Sequence, residues 1–144
     1  MRTILLDEAL RATMEAEHLA RADGGLPVCL CVTDGSGDLL AFARMDGAPE
    51  RLVPIVIAKA YTAARMRATT EGFRKRLLDG GLTLADFCDP LLTSLPGGVP
   101  LLAGDGRCVG AVAVSGRALA DDAALAGTYA RLLEERLDLT RGAG

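Results

Sequence analysis

Aromatic side chains are scarce in this chain: they make up 3% of the 144 residues, and tryptophan is absent. Proteins that bind single-stranded nucleic acids use such side chains to stack the bases. Proteins that bind duplexes need an excess of clustered cations. The formal net charge is −3, so no such excess exists. A run of cations from Arg65 to Arg76 is interrupted by Glu71 and followed by Asp79. We interpret it as a solvated helix face, with an anion or partner site as the alternative, and we expect no nucleic-acid partner.

Long apolar runs and metal-type cysteine spacings are also lacking. The four cysteines show no CxxC pair, so free core thiols are expected, with Cys29 and Cys31 on one face of a strand. No apolar run has the length of a membrane span. The first 18 residues carry acids among their apolar positions, unlike a signal peptide. These features predict a cytoplasmic protein without a membrane partner.

The hydrophobic pattern predicts one α+β domain over residues 1–144. Glycine-rich turns at 34–37 and 104–106 are typical of β-hairpins, which implies an antiparallel sheet with helices packed on it. Helices are predicted from Thr3 to a stop at Gly24-Gly25 and over 52–67, 70–78 and 118–137, and strands over 26–33, 38–45, 99–103 and 107–115.

The chain has a single histidine, His18, in the first predicted helix. Leu6, Leu10, Met14 and His18 are spaced four apart, so they form one stripe that is expected to face the sheet or a cavity. Histidine is a common axial ligand of haem iron, which makes His18 the metal-ligand candidate. The alternative is a hydrogen-bonded, inert histidine at the edge of the core.

Three motifs together resemble one known family. They are PVCLCVTDGSGDLLAFARMDGA (27–48), IAKAYTA (57–63) and PGGVPLLAGDGRCVGAVAVSG (96–116), followed by Asp121-Asp122. In order and spacing the chain is similar to the GlcG/HbpS family, also described as PduO C-terminal-domain-like. The resemblance implies a profilin-like fold with a five-stranded antiparallel sheet and flanking helices, assembled as a homo-oligomer. The fifth strand would lie within residues 77–95. Some relatives bind haem and place a histidine in the first helix.

Several further residues are candidates for a binding or catalytic site. Arg44 is predicted to hold a carboxylate or propionate, or else to pair with Asp46 on the surface. Lys59 and Thr62 share a helix face. If this face looks towards Gly97-Gly98, the glycines form the floor of a pocket in which Lys59 is an anion donor or a base. The alternative for Lys59 is a side chain that extends to solvent from a packing face.

Three functions follow from these candidates. The first is haem (tetrapyrrole) binding with His18 as axial ligand. The second is an isomerase, lyase or hydrolase acting on a small carboxylate, in which Lys59 or Asp46 transfers a proton and Arg44 anchors the substrate. The third is a non-catalytic accessory subunit. Arg117 stands where relatives commonly have glycine, which leaves room for a small acidic ligand gripped by Arg44 and Arg117.

Overall fold

Helices cover both faces of one antiparallel sheet in the computed structural model, which describes residues 3–138. The α-helices are α1 (Leu6–Ala22), α2 (Leu52–Met66), α3 (Thr70–Gly80) and α4 (Leu119–Leu137). The strands are β1 (Cys29–Asp34), β2 (Leu39–Arg44), β3 (Gly98–Leu102) and β4 (Cys108–Ser115), in the sheet order β2-β1-β4-β3. The predicted α+β class is confirmed. In the described part of the chain no helix is long and apolar enough to span a bilayer.

Local turn chemistry sets both hairpins. In the β1–β2 turn, Oδ1 of Asp34 accepts hydrogen bonds from the backbone N–H groups of Ser36 (2.9 Å) and Asp38 (3.0 Å). Gly37 follows with φ +92°, a conformation that favours glycine. Gly106 supplies the same freedom in the β3–β4 turn, with φ +86°. The two predicted hairpins are therefore present, and β1 pairs with β4 to join them into one sheet.

The sheet is buried on both faces by alternating side chains. One cluster lies between the sheet and the pair α1 and α4, and the other lies between the sheet and α2. The first includes Leu30, Val32, Val112 and Val114, and the second includes Cys29, Cys31, Ala111 and Ala113. The prediction that both N-terminal cysteines are free core thiols on one face is confirmed.

The expected fifth strand within residues 77–95 is wrong for the described chain. The α3 helix extends to Gly80, and a short 3-10 turn follows over Leu84–Phe87. Asp86 closes this turn by accepting a hydrogen bond from the backbone N–H of Thr83 at 2.8 Å. Cys88 then adopts left-handed backbone with φ +54°, which reverses the chain. A segment of such turns offers no extended edge for a strand to pair with, so the sheet has four strands among residues 3–138.

The orientation predicted for α1 is also wrong. The helix begins at Leu6 rather than near Thr3, and its large apolar side chains point outward: Leu6 is 57% exposed and Met14 is 70% exposed. His18 is exposed as well. The buried face consists of small side chains, Ala9, Ala12, Thr13, Ala16 and Ala20. Alanines allow α1 to lie close to the sheet and α4, and this close packing decides which face is buried.

Candidate functional site

Lys59 is a buried cation in the middle of α2. Its side chain is 1% exposed, and Nζ donates hydrogen bonds to the carbonyl oxygen of Val114 (2.9 Å) and to Oδ2 of Asp122 (3.1 Å). Burial lowers the pKa of Lys59, and the nearby carboxylate of Asp122 opposes this effect. Lys59 therefore lies in the core and does not extend to solvent.

Asp122 completes this buried pair from the first turn of α4. Its side chain is 2% exposed, and it accepts backbone hydrogen bonds from Gly116 (3.2 Å, at Oδ2) and Arg117 (2.9 Å, at Oδ1). A carboxylate is also favoured at the positive end of a helix. The pair connects α2, the end of β4 and the start of α4. The sequence does carry a signal for the burial of Asp122. Its spacing places it on the same face of α4 as Ala126, Ala130 and Leu133, which are all buried.

Gly97 and Gly98 lie directly against Lys59. A Cβ atom on Gly97 would lie 2.8 Å from Nζ of Lys59, and a Cβ atom on Gly98 would lie 2.4 Å from the Lys59 carbonyl oxygen. Real Cβ atoms do not approach other atoms so closely, so glycine is required for α2 to pack on β3. Lys59 lies against Gly97 and Gly98, but α2 packs directly on the glycines, so the predicted pocket does not lie between them.

A small recess remains on the other side of the glycines. Its volume is about 240 Å³, and Thr69, Glu71, Val99 and Ala123 complete its lining. Thr62 does not reach this recess, because its hydroxyl donates to the carbonyl of Ala58 (2.8 Å) and accepts from the backbone N–H of Thr93 (2.9 Å). Thr62 thus fixes the loop that leads to the glycines.

Arg44 and Asp46 lie apart from the other candidates. Arg44 is in register with Cys29, so both side chains lie on the α2 face of the sheet, whereas His18 belongs to α1 on the opposite face. The guanidinium Nε of Arg44 donates to the carbonyl of Ala48 at 3.0 Å. Asp46 is exposed and, among residues 3–138, makes no hydrogen bond. The structure therefore does not join Arg44 or Asp46 with His18 or Lys59.

Arg117 is not available for an acidic ligand in the described structure. Its guanidinium donates to both carboxylate oxygens of Asp23 (2.6 and 2.9 Å) and to the carbonyls of Ala20 and Leu26 (2.9 Å each). Its side chain is 9% exposed. Arg117 thus ties the end of α1 to the start of α4, and the predicted grip by Arg44 and Arg117 does not form.

His18 lies on an open face of α1. Arg11, Met14, His18 and Arg21 are three or four residues apart, so they share this face. Within residues 3–138 the imidazole makes no hydrogen bond, and both of its nitrogens are free. The two arginines form exposed ion pairs within the helix, with Asp7 (2.9 Å) and Glu17 (3.0 Å).

A shallow cleft continues from this face towards α4. Its volume is about 450 Å³, and Leu10, Arg11, Met14 and Arg136 contribute to its lining. Arg136 pairs there with Glu15. The open face of α1 thus combines one imidazole, apolar side chains and cations. Among the described residues, no group of three or more His, Cys, Asp or Glu side chains could hold a metal ion.

Comparisons with known proteins agree with this fold. A family model described as "Haem degrading protein HbpS-like" matches residues 4–130. Protein GlcG of Escherichia coli is 38% identical over 114 residues, which cover 79% of this chain and 83% of GlcG. The crystal structure of HbpS is 32% identical, with a TM-score of 0.78 and coverage of 95% and 92% of the two chains. The structure of a PduOC–haem complex has a TM-score of 0.79 at 22% identity, covering 91% of this chain and 95% of that one, which shows a shared fold.

Proposed function

The chain belongs to the HbpS-like family of haem-degrading proteins, and from this premise we propose that it binds haem with His18 as the axial ligand of the iron. The observation that carries the proposal is the imidazole itself: it is exposed and makes no hydrogen bond within residues 3–138. A neutral imidazole nitrogen is a common ligand of haem iron. A core histidine would instead be hydrogen-bonded and closed to a ligand.

The surroundings of His18 fit the remainder of the haem molecule. Met14 lies one helical turn away and is 70% exposed, and Leu10 is 43% exposed, so both offer apolar surface to the macrocycle. Arg11 and Arg21 on the same face carry the positive charge that propionates need. Their present ion pairs are exposed and thus weakly held, so either guanidinium can exchange its partner at little cost.

The description of the family and that of one structural neighbour support a haem ligand. The family description names haem-degrading proteins, and the PduOC structure is a complex with haem. The relative at 38% identity, GlcG, carries no ligand in its name.

A haem titration followed by absorbance tests the proposal. Purified protein should give a saturable Soret shift, and His18→Ala should lose it. Added imidazole should restore the shift in His18→Ala, because free imidazole can then bind the haem iron in place of the missing side chain. His18→Met should bind with a different Soret maximum, since a thioether replaces the nitrogen. An unchanged shift in His18→Ala, or no shift in the unaltered protein, would contradict the proposal.

The arginines provide an independent test of haem orientation. The double variant Arg11→Gln/Arg21→Gln should weaken haem binding by about tenfold, a loss of about 1.4 kcal/mol. The dimethyl ester of haem, which has no propionate charge, should bind the variant and the unaltered protein equally. Arg74→Gln is the matched control, because Arg74 lies on α3. A tenfold loss with the ester as well would show that the arginines support folding rather than the propionates.

The other functions predicted from the sequence stay predictions. Catalysis on a small carboxylate would require Lys59 or Asp46 to reach a substrate. Lys59 is enclosed by Asp122 and Val114, and Asp46 makes no hydrogen bond with it. An accessory role, a homo-oligomeric state and a cytoplasmic location stay predictions as well.

A further inference from the structure

A second cleft lies at the end of the sheet where the β1–β2 turn meets the start of β4. Its volume is about 560 Å³. Asp34, Ser36, Arg67 and Arg107 contribute the polar groups of its lining. Ile4, which precedes α1, also lines it. His18 lies about 18 Å along α1 from Leu6, at about 1.5 Å per residue. The cleft is therefore separate from the face proposed for haem.

Arg67 reaches this cleft from the end of α2. It is the residue that ends the helix, with left-handed backbone at φ +51°, and it is exposed. Among residues 3–138 its guanidinium makes no hydrogen bond or ion pair. It belongs to the run of cations for which the sequence left an anion site as the alternative to a solvated helix face.

Arg107 enters the cleft from the other side, just before β4. Its side chain is 43% exposed, and its Nε forms an ion pair with Oδ2 of Asp105 at 3.0 Å. The N–H bond is not directed at that oxygen, so the nitrogen itself is buried without a hydrogen-bond partner within the described residues. Buried polar groups in folded proteins are nearly always paired, so an orphaned guanidinium nitrogen calls for a partner.

Asp34, the acid in the lining of the cleft, pairs with neither of these two arginines. Oδ1 of Asp34 is occupied by the backbone N–H groups of its own turn, and within residues 3–138 Asp34 forms no ion pair with Arg67 or Arg107. The rim is also fixed by a third arginine, since Nε of Arg65 donates to the carbonyl of Ser36 at 2.9 Å. The cleft thus has a fixed rim, and its lining holds two cations and one acid. Because Asp105 pairs with Arg107, Arg67 is the cation of the lining without an ion-pair partner among the described residues.

We propose that this cleft binds a small anion, a carboxylate or a phosphate, held between Arg67 and Arg107. Guanidinium groups recognise the paired oxygens of both anions through two parallel hydrogen bonds. An anion between them would satisfy the free guanidinium of Arg67 and the orphaned nitrogen of Arg107 together. This site goes beyond haem binding and uses none of the residues assigned to it.

Isothermal titration calorimetry at low salt tests the site, with inorganic phosphate and malonate as separate probes. At least one probe should bind the unaltered protein. Arg67→Gly and Arg107→Gln should each weaken that binding by about tenfold or more, because each removes one guanidinium. Arg67→Gly suits the left-handed backbone, so it removes the side chain without straining the fold. Arg74→Gln, from the same run of cations but on α3, is the matched control and should bind as before.

The outcomes separate the two anions and the two sites. Phosphate binding that requires both arginines assigns the cleft to phosphates, and the same result with malonate assigns it to carboxylates. If neither probe binds, or if binding survives both substitutions in variants with unchanged circular dichroism, the proposal is overturned. His18→Ala should keep full anion affinity whether or not the protein binds haem. Loss of anion binding in His18→Ala would show that the cleft is not an independent site.

Discussion

Lys59 and Asp122 hold α2, β4 and α4 together through a buried ion pair. Neither charge has access to water, so each depends on the other as its partner. Removing one partner of a buried pair leaves the other charge uncompensated. We expect Asp122→Ala to lower the free energy of unfolding by about 4 kcal/mol. Two backbone N–H groups, of Gly116 and Arg117, lose their acceptor in the same variant. Urea denaturation followed by circular dichroism measures the change.

The double variant Lys59→Met/Asp122→Leu separates the charge effect from the packing effect. It removes both charges and keeps apolar volume, so it should be more stable than Asp122→Ala. Asp79→Ala is the control, because it breaks the exposed pair with Lys75 and should change stability little. If Asp122→Ala is as stable as Asp79→Ala, the buried pair is not required by the fold.

Gly98 supports the same region through the absence of a side chain. A Cβ atom there would lie 2.4 Å from the carbonyl oxygen of Lys59, a backbone atom that cannot rotate away. We expect Gly98→Ala to cost about 3 kcal/mol of stability by overpacking. Gly80→Ala is the matched control, since a Cβ atom at this helical glycine makes only ordinary contacts at 3.5 Å, and it should be neutral or stabilising. Equal melting temperatures for the two variants would contradict the packing argument.

Among the secondary-structure elements, α1 and α4 are joined by the arginine that departs from the family pattern. The hydrogen bond from Arg117 is the main cause of the lowered pKa of Asp23, with a backbone hydrogen bond from Gly25 also contributing. A lowered carboxyl pKa stabilises the fold at neutral pH, and this contribution is lost as the pH falls through the folded-state pKa. This contact between Arg117 and Asp23, the clamp, therefore predicts that the stability of the fold falls as the medium becomes acidic.

Replacing Arg117 by glycine should test this prediction. The melting temperature of Arg117→Gly should fall at neutral pH, because α1 and α4 lose their connection. The further drop between pH 6 and pH 3 should be smaller than in the unaltered protein, since the clamp is already absent. Arg11→Gln, which removes an exposed ion pair, is the control and should keep the normal acid response. An identical pH response in Arg117→Gly would show that the clamp does not stabilise the fold.

The elements themselves were predictable, because their signals are local. Turns such as DGSG and GDG determine the hairpins, and the apolar periodicity determines the helices. The orientation of α1 was not predictable in this way. Leucine and methionine rank as core residues, but close packing on the sheet selected the alanine face. The partner of Lys59 was missed for a related reason, since Asp122 is 63 residues away and only the fold brings them together.

For the whole molecule, the outward face of α1 has consequences for assembly. Leu5, Leu6, Leu10 and Met14 are between 43% and 70% exposed and lie near one another along the start of α1. Contiguous apolar surface of this kind is typical of protein–protein contacts, whereas scattered single residues are not. The same face carries His18, and Leu10 and Met14 belong to both, so the haem proposal and the expected homo-oligomer involve overlapping parts of one surface.

We therefore expect the protein to self-associate through this face. Leu10→Glu/Met14→Glu places two charges on it and should shift the protein to a monomer, because burying unpaired carboxylates between chains is unfavourable. Light scattering after size-exclusion chromatography measures the mass. Leu91→Glu is the control, since Leu91 is 60% exposed and lies outside α1, and it should keep the mass of the unaltered protein. His18→Ala should keep it too, because an imidazole contributes little apolar area. A monomeric unaltered protein would contradict the prediction, and an unchanged mass in the double variant would place the contact on another face.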